Sequence, residues 1–550
     1  MNLTVSPWRS GGIHLYYLCE ALSGLLIYFM VVFSPWAFGT TQSGTIWTMN
    51  VCGYGLGLLL LVMTGMRWLR KYEPDAPNEI VVARVSTAGV VKRSCGNVSL
   101  GSIRKASCRP DFLVRALGVC TSAILGYCLV AALNAHATYD AASMSFEYRD
   151  YLRWLPSTLD SRSTWQMFWN YLSLACWFWA VRDWLKGTSL VEGPADTLSL
   201  TPGSNPEQFP PLPDRLKRLL WVLTISGGLL GLQGIAQRLA GSSKLLFMVT
   251  PEIHQEAQEQ FASYAYRANA GQYFNLLWPV CLGFWWVTFR TTSGRGLTNY
   301  VLLACAAIMA ACPIISGARG AAVADLALLV LLTSILLLSR RFGPTEAGGI
   351  ASYPPHSRRR QRAKDSFSRP MQTMIMFFGC TLALGLSLGW KQLRPRMDNL
   401  AFGLAEREEL YERARQIASD YPLFGIGPGA FEKVFQLYRR SANGYWPSQL
   451  HNDWLETRIT FGWLGSGLIG VALLLILARS GGVPATFGLN LFLWLSLLGC
   501  LVQARWDFPF QIYSIQLLAV LWCSLLCTCG SFRSALEHYL VTNDRNGLRR

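Results

Sequence analysis

The chain has 550 residues, 51% of them hydrophobic and only 15% charged, with 49 Lys+Arg against 32 Asp+Glu and a formal net charge of +17. Positive mean hydropathy with so few charges excludes an ordinary soluble domain. The basic excess lies between apolar runs, which fits membrane orientation and anionic leaflet lipids rather than nucleic-acid binding.

Apolar segments long enough at roughly 1.5 Å per residue to cross a bilayer core of about 30 Å recur about twelve times along the chain. They fall at roughly 14–38, 44–66, 113–134, 164–181, 219–241, 272–289, 297–316, 320–338, 371–390, 459–478, 485–504 and 513–530. This pattern predicts an all-α polytopic integral membrane protein. The first run lacks a small-residue cleavage site and many others follow it, so it reads as a retained helix. Lys and Arg concentrate in 67–115 and in 340–369, which contains SRRRQRAK. Both segments fall on one side together with the two termini, and the positive-inside rule makes that side cytoplasmic.

The stretches VEGPADTLSLTPGSNPEQFPPLPD and TEAGGIASYPPHSRRR are rich in Pro, Gly and Ser and read as loose connections. The fifteen cysteines sit mainly within apolar spans. Cys95 and Cys108 lie in the first basic loop, and Cys523, Cys527 and Cys529 lack the spacing of a zinc site. An external disulfide framework is therefore not expected.

The chain divides into residues 1–390 with nine helices, a long polar loop at 391–458 on the outer side, and residues 459–550 with three helices and a short cytoplasmic tail. Within the loop, GLAEREELYERARQIASD has helical spacing, with Glu409 and Arg413 at i, i+4.

Polar residues gather at the outer ends of the later spans. YAYRANAGQYFNLLWP supplies Arg267, Asn269 and Asn275, and the short turn SGARG supplies Arg319. The loop adds Arg407, the turn DYPLFGIGPGAFE with Gly425, Gly427, Pro428 and Gly429, and His451; RWDFPF then brings Arg505 and Asp507. Several arginines on one face suit an anionic ligand, because guanidinium matches phosphate oxygens bidentately. Arg319 by itself is equally satisfied by snorkelling to headgroups or by pairing with Asp325.

His451 opens HNDWLE, ahead of an apolar span. Asp453 reads as the helix N-cap with Glu456 completing a capping-box pattern, which places the histidine beside free amides that favour an anion. An imidazole there takes a proton from a hydroxyl, donates to a phosphate, or merely hydrogen-bonds at the interface. Gly427-Pro428-Gly429 admits close approach of a ligand or another helix. No GK[ST], HExxH or paired-aspartate motif accompanies these residues, so any donor arrives already activated.

Together these motifs resemble the O-antigen ligase and polymerase superfamily, bacterial membrane proteins that move glycans from an undecaprenyl-diphosphate carrier. The most specific part pairs DYPLFGIGPGAF with HNDWLE and the following GWLG; SGARG, YRANAGQYFNLLWP and WDFPF resemble the family's other segments, over about residues 260–512. The resemblance implies a GT-C-like helical fold in the bacterial inner membrane, with a periplasmic catalytic loop before the tenth span. It implies that Arg319 and Arg267, with Asn269, meet the carrier diphosphate, and that His451 is general base or diphosphate contact. Arg407, Gly427, Gly429 and Asp507 would support them. No metal or cofactor is implied; the partners are the lipid-linked glycan, a hydroxyl acceptor on a lipid core, glycan or protein, and membrane lipids. Ligase is the first expectation, polymerase or protein glycosylation the next, and a lipid-linked sugar transporter the alternative of another class.

Overall fold

The computed structural model describes residues 7–70, 112–187, 212–291, 296–338, 357–398, 400–439, 447–480 and 487–528. Most of the first basic loop, the two Pro/Gly-rich connections, Cys95, Cys108, Cys529 and the C-terminal tail lie outside these residues, as does the side chain of Glu409. Within the described residues the chain is almost wholly helical, and each apolar segment named above lies on a helix.

The long helices are α1 (Pro7–Trp36), α2 (Ser43–Arg70), α3 (Phe112–Leu133), α4 (Ser161–Lys186), α5 (Asp214–Leu239), α6 (Arg267–Thr291), α7 (Leu297–Ile315), α8 (Arg319–Leu338), α9 (Ser357–Asp398), α10 (Leu400–Asp420), α11 (Asp453–Ser480), α12 (Phe487–Gln503) and α13 (Tyr513–Thr528). Seven of them, α1, α2, α3, α5, α7, α9 and α11, are long and apolar enough to cross a membrane among the described residues, which makes this a polytopic membrane protein. Of the rest, α4 and α6 open on polar turns, and α12 and α13 are shorter.

Helix α6 is the hub. Phe274, Leu276, Leu277, Trp278, Val280 and Phe284 are all fully buried, as expected of a helix that is apolar on every side and packs among α5, α7, α8 and α12. Pro279 interrupts its ladder, and the nearby Leu276 carbonyl accepts from Trp522 Nε1 at 2.9 Å and from Ser496. Helix α5 reaches this core through a small-residue stripe, Gly227, Gly228, Gly231 and Gly234. A Cβ on Gly227 would stand 2.5 Å from Leu277 and Met309, so only glycine admits that approach.

The bundle has two distinct ends. At one, Arg67 donates to both oxygens of Asp183 at 2.7 Å, and Arg215 meets Glu20 at 2.9 Å, joining α1, α2, α4 and α5. At the other, the helices are linked by a hairpin of β1 (Ala137–Asp140) and β2 (Ser145–Tyr148), by the short turn at 316–318, and by the polar region before α11. Exposed Trp47, Trp169, Trp454 and Trp506 lie towards this second end, as interfacial tryptophans do.

The polar region is a helical cap with its own small core. Tyr411, Ala414 and Ile417 of α10 pack on Ile426, Phe431, Val434, Leu450 and Ile459. Helix α11 begins at Asp453, earlier than the apolar run suggests, because its first turn is polar yet buried. It breaks at Gly462, whose φ of 60° and ψ of −167° are non-helical. The DYPLFGIGPG loop fills the break: Ile426 N and Gly427 N donate to the Ile459 and Thr460 carbonyls at 2.9 and 3.0 Å, while Trp463 N and Leu464 N donate to those of Pro422 and Leu423 at 3.0 and 3.1 Å. Four of the groups freed there by the break thus find partners in the loop, and the Phe461 carbonyl accepts from the Tyr127 hydroxyl at 3.1 Å.

Candidate active site

The same end of the bundle holds the polar residues. His451 sits with φ of 55°, in the left-handed region that non-glycine residues rarely adopt, just ahead of α11. Its carbonyl accepts from the Tyr411 hydroxyl at 2.9 Å, its ring packs edge-on against Phe508 at 4.8 Å between centroids, and Nδ1 stands 3.4 Å from Asp507 Oδ1. Asp507 is buried, and its oxygen also accepts from Phe508 N at 3.2 Å. The histidine edge is therefore held on both sides before any ligand arrives.

The helix start differs from the expected capping box by one position. Asn452 is the N-cap: its Oδ1 accepts from Leu455 N at 3.1 Å. Glu456 reaches back to Leu450 N at 2.9 Å, two residues before the N-cap amide on which a capping box would end. Asp453 instead braces the segment after α12, accepting from Phe510 N at 2.7 Å and Gln511 Nε2 at 3.2 Å while its own amide donates to the Ala504 carbonyl at 2.9 Å. This tie fixes Asp507 against His451.

An arginine group lies alongside. Arg319, at the start of α8, donates to the Arg396 carbonyl at 3.1 Å, and Arg396, at the end of α9, donates to the Gly317 carbonyl at 3.3 Å. Arg267, at the start of α6, donates to the Gln258 carbonyl at 3.3 Å. Arg238, at the end of α5, holds the Ala257, Gln260 and Ser316 carbonyls at 2.8 to 3.2 Å. The four are within electrostatic reach of one another: Arg267 feels Arg319, Glu259 and Asp507, Arg396 feels Arg267 and Arg319, and Arg238 feels Arg396 and Arg267. Among the described residues, Arg238, Arg267 and Arg396 form no ion pair with a carboxylate. Carbonyl contacts orient these guanidiniums without neutralising them, and Arg267 and Arg396 each keep most of their five N–H donors for another partner. Arg319 does not pair with Asp325, which is fully buried beside the Trp278 indole.

Arg407 completes the rim by donating to the Trp506 carbonyl at 2.6 Å. Tyr411 lies one turn further along α10. Burial raises its phenol above the usual value, against the opposing pull of Arg407 and Arg505. Asn269 is buried with its Oδ1 unpartnered, whereas Asn275 is occupied in the packing, donating to the Ala321 carbonyl at 2.8 Å. Gly427 and Gly429 adopt φ of 100° and 79°, and a Cβ on them would stand 2.1 Å from Thr158 Oγ1 and 2.9 Å from Met167 Cγ. The close approach they permit is thus by the start of α4.

Several neighbours are not singled out by the sequence motifs. Arg238 and Arg396 close apolar spans and look like ordinary snorkelling ends. His254 stacks on Tyr266 at 5.1 Å and pairs with Glu259 at 3.5 Å, and Tyr266 lies parallel to Phe508 at 5.6 Å. Tyr266, next in sequence to Arg267, also meets the His451 ring at 6.2 Å and so links the arginines to the histidine. No single-sequence signal distinguishes these neighbours from a polar loop.

No curated protein matches the chain. Residues 304–470 match the family model described as O-antigen ligase, a stretch that runs from α7 through Arg319, Arg396, Arg407, the glycine loop and His451 to the Gly462 break. The similarity to the O-antigen ligase family is thus carried by this one stretch, which is less than half of the chain.

Proposed function

We propose that the protein transfers a glycan from a polyprenyl-diphosphate carrier to an acceptor hydroxyl, as an O-antigen ligase acting on a lipid core or similar surface acceptor. The observation that carries this reading is the position of the His451–Asp507 pair beside Arg267 and Arg396, which are oriented by carbonyls and form no ion pair with a carboxylate among the described residues. An acidic partner on Nδ1 holds its proton there and leaves Nε2 to receive one.

The acceptor oxygen attacks the sugar C1 and passes its proton to His451 Nε2. The bond from C1 to the carrier diphosphate breaks, and its electron pair leaves on the diphosphate oxygen. Arg267 and Arg319, joined by Arg396 and Arg238, stabilise the charge that grows there. Asn269 and Arg407 flank the ligand, while Gly427 and Gly429 let the loop lock beneath it. A diphosphate leaving group needs neither metal nor cofactor, and a single displacement inverts C1; product anomeric configuration tests that step.

The same reading places about twelve spans in a GT-C-like arrangement, the site on the periplasmic face of a bacterial inner membrane, and both termini in the cytoplasm. The carrier is undecaprenyl diphosphate. Donor chemistry is shared by a polymerase that joins repeat units, so the test is the carrier-linked glycan in cells bearing His451→Ala. Long chains stranded on the carrier mark a ligase, and single repeats mark a polymerase. An unchanged glycan profile removes His451 from the chemistry.

A further inference from the structure

At the far end of α10 from His451, a group of aromatic side chains stands outside both the membrane core and the site. His136 stacks on Tyr151 at 4.2 Å and meets Tyr148 at 5.3 Å. Tyr421 lies within electrostatic reach of Tyr148 and Tyr151 and hydrogen-bonds Tyr438, whose hydroxyl donates to Asp420 at 2.7 Å.

The group is built on ordered backbone. The hairpin register pairs Ala137 with Tyr148, and His136 N and Arg149 N make hydrogen bonds of 2.9 and 2.8 Å to the Thr158 and His136 carbonyls. Asn134 fixes the following turn through both its amide and its oxygen, at 2.9 and 2.8 Å from Leu152. Tyr421 and Tyr438 lean on the cap core, whereas Tyr148 is 62% exposed. Rings that served packing alone would be turned inward. Burial and Arg153 both lower the His136 pKa, so the imidazole stays uncharged at neutral pH.

We infer that this aromatic group binds sugar residues of the donor glycan, some distance along the chain from the reacting C1. The inference rests on the transferase reading above. Ring faces suit the polarised C–H faces of a pyranose, and phenols with a carboxylate beside them suit its hydroxyls. Asp420 and Arg153 stand on either side of the group and offset one another, which argues for the neutral part of the donor rather than its diphosphate. Position agrees: the Tyr411 hydroxyl touches His451, and Tyr421 lies ten residues on, just past the end of the same helix and about 15 Å along its axis. A chain of a few sugars covers that span, and a single sugar does not.

The test uses the full-length protein in nanodiscs and the host's carrier lipid bearing either its long glycan or one sugar. Tyr148→Ala with Tyr151→Ala is expected to raise KM for the long donor roughly tenfold, leaving kcat and the one-sugar donor unchanged. Tyr148→Phe, which keeps the ring, is expected to stay near the native KM. An unchanged KM on the long donor, or an equal loss on both donors, overturns the glycan subsite. The native protein, measured in parallel, must transfer both donors; transfer of neither would sink the transferase reading instead, so the two failures are distinguishable.

Discussion

His451 and Asp507 lie 56 residues apart in sequence and meet at 3.4 Å, across the junction of the cap with the end of α12. Asp453 makes that meeting possible by tying the two backbones together. If Asp507 orients the imidazole, Asp507→Asn should lower turnover by about 10²-fold or more while leaving protein level and melting temperature close to native. His451→Ala should lose at least as much. A double variant no worse than the poorer single one would show the two acting as a unit.

The arginine group predicts an order among its members. Arg396 both accepts from Arg319 and donates to Gly317, so it sets the geometry of the α8 start as well as adding charge. Arg396→Ala should reduce transfer by about 10²-fold, in the range lost when one charge-stabilising donor is removed. Arg396→Lys should recover only part, because an ammonium keeps the charge without the planar fork. Measured kcat on the carrier-linked donor decides between this and a purely structural role, for which Lys and Ala would both act through stability.

Much of this fold is legible in sequence because apolar run length maps directly onto helices, and the runs fall where α1 to α9 and α11 to α13 stand. Polar first turns are harder. Asp453 and Glu456 read as surface capping residues, yet both are buried and spend their oxygens on Phe510, Gln511 and Leu450. The glycines of GIGPG and of FGWLG are each visible, but their mutual contact depends on how the chain returns. The strands ATYD and SFEY are only four residues each, too short for the alternation in SFEY to stand out as a periodic signal.

That glycine contact carries its own prediction. A Cβ on Gly462 would stand 2.2 Å from the Leu423 carbonyl, and one on Gly425 would stand 2.4 Å from that of Ile459. Both have positive φ, so alanine meets backbone strain as well as backbone atoms that cannot move aside. Gly462→Ala and Gly425→Ala should each cost about 3 kcal/mol or more, seen as lost yield of folded protein in the membrane. Gly467→Ala in the same helix, with open space around it, should be silent.

The opposite end of the bundle tests whether stability and catalysis are separate. Arg215 and Glu20 pair at 2.9 Å with side chains only 8% and 9% exposed, and the Trp184 carbonyl takes the same guanidinium nitrogen at 2.7 Å. Removing the carboxylate leaves the buried Arg215 charge without its counter-ion, so Glu20→Leu should lower stability by roughly 3 to 5 kcal/mol. Replacing both, as Glu20→Leu with Arg215→Met, should regain most of that loss, because two apolar side chains have no charge to desolvate. Thermal unfolding in detergent measures the difference. Neither variant should alter KM for the donor in the fraction that folds, since the pair lies at the end of the bundle away from His451.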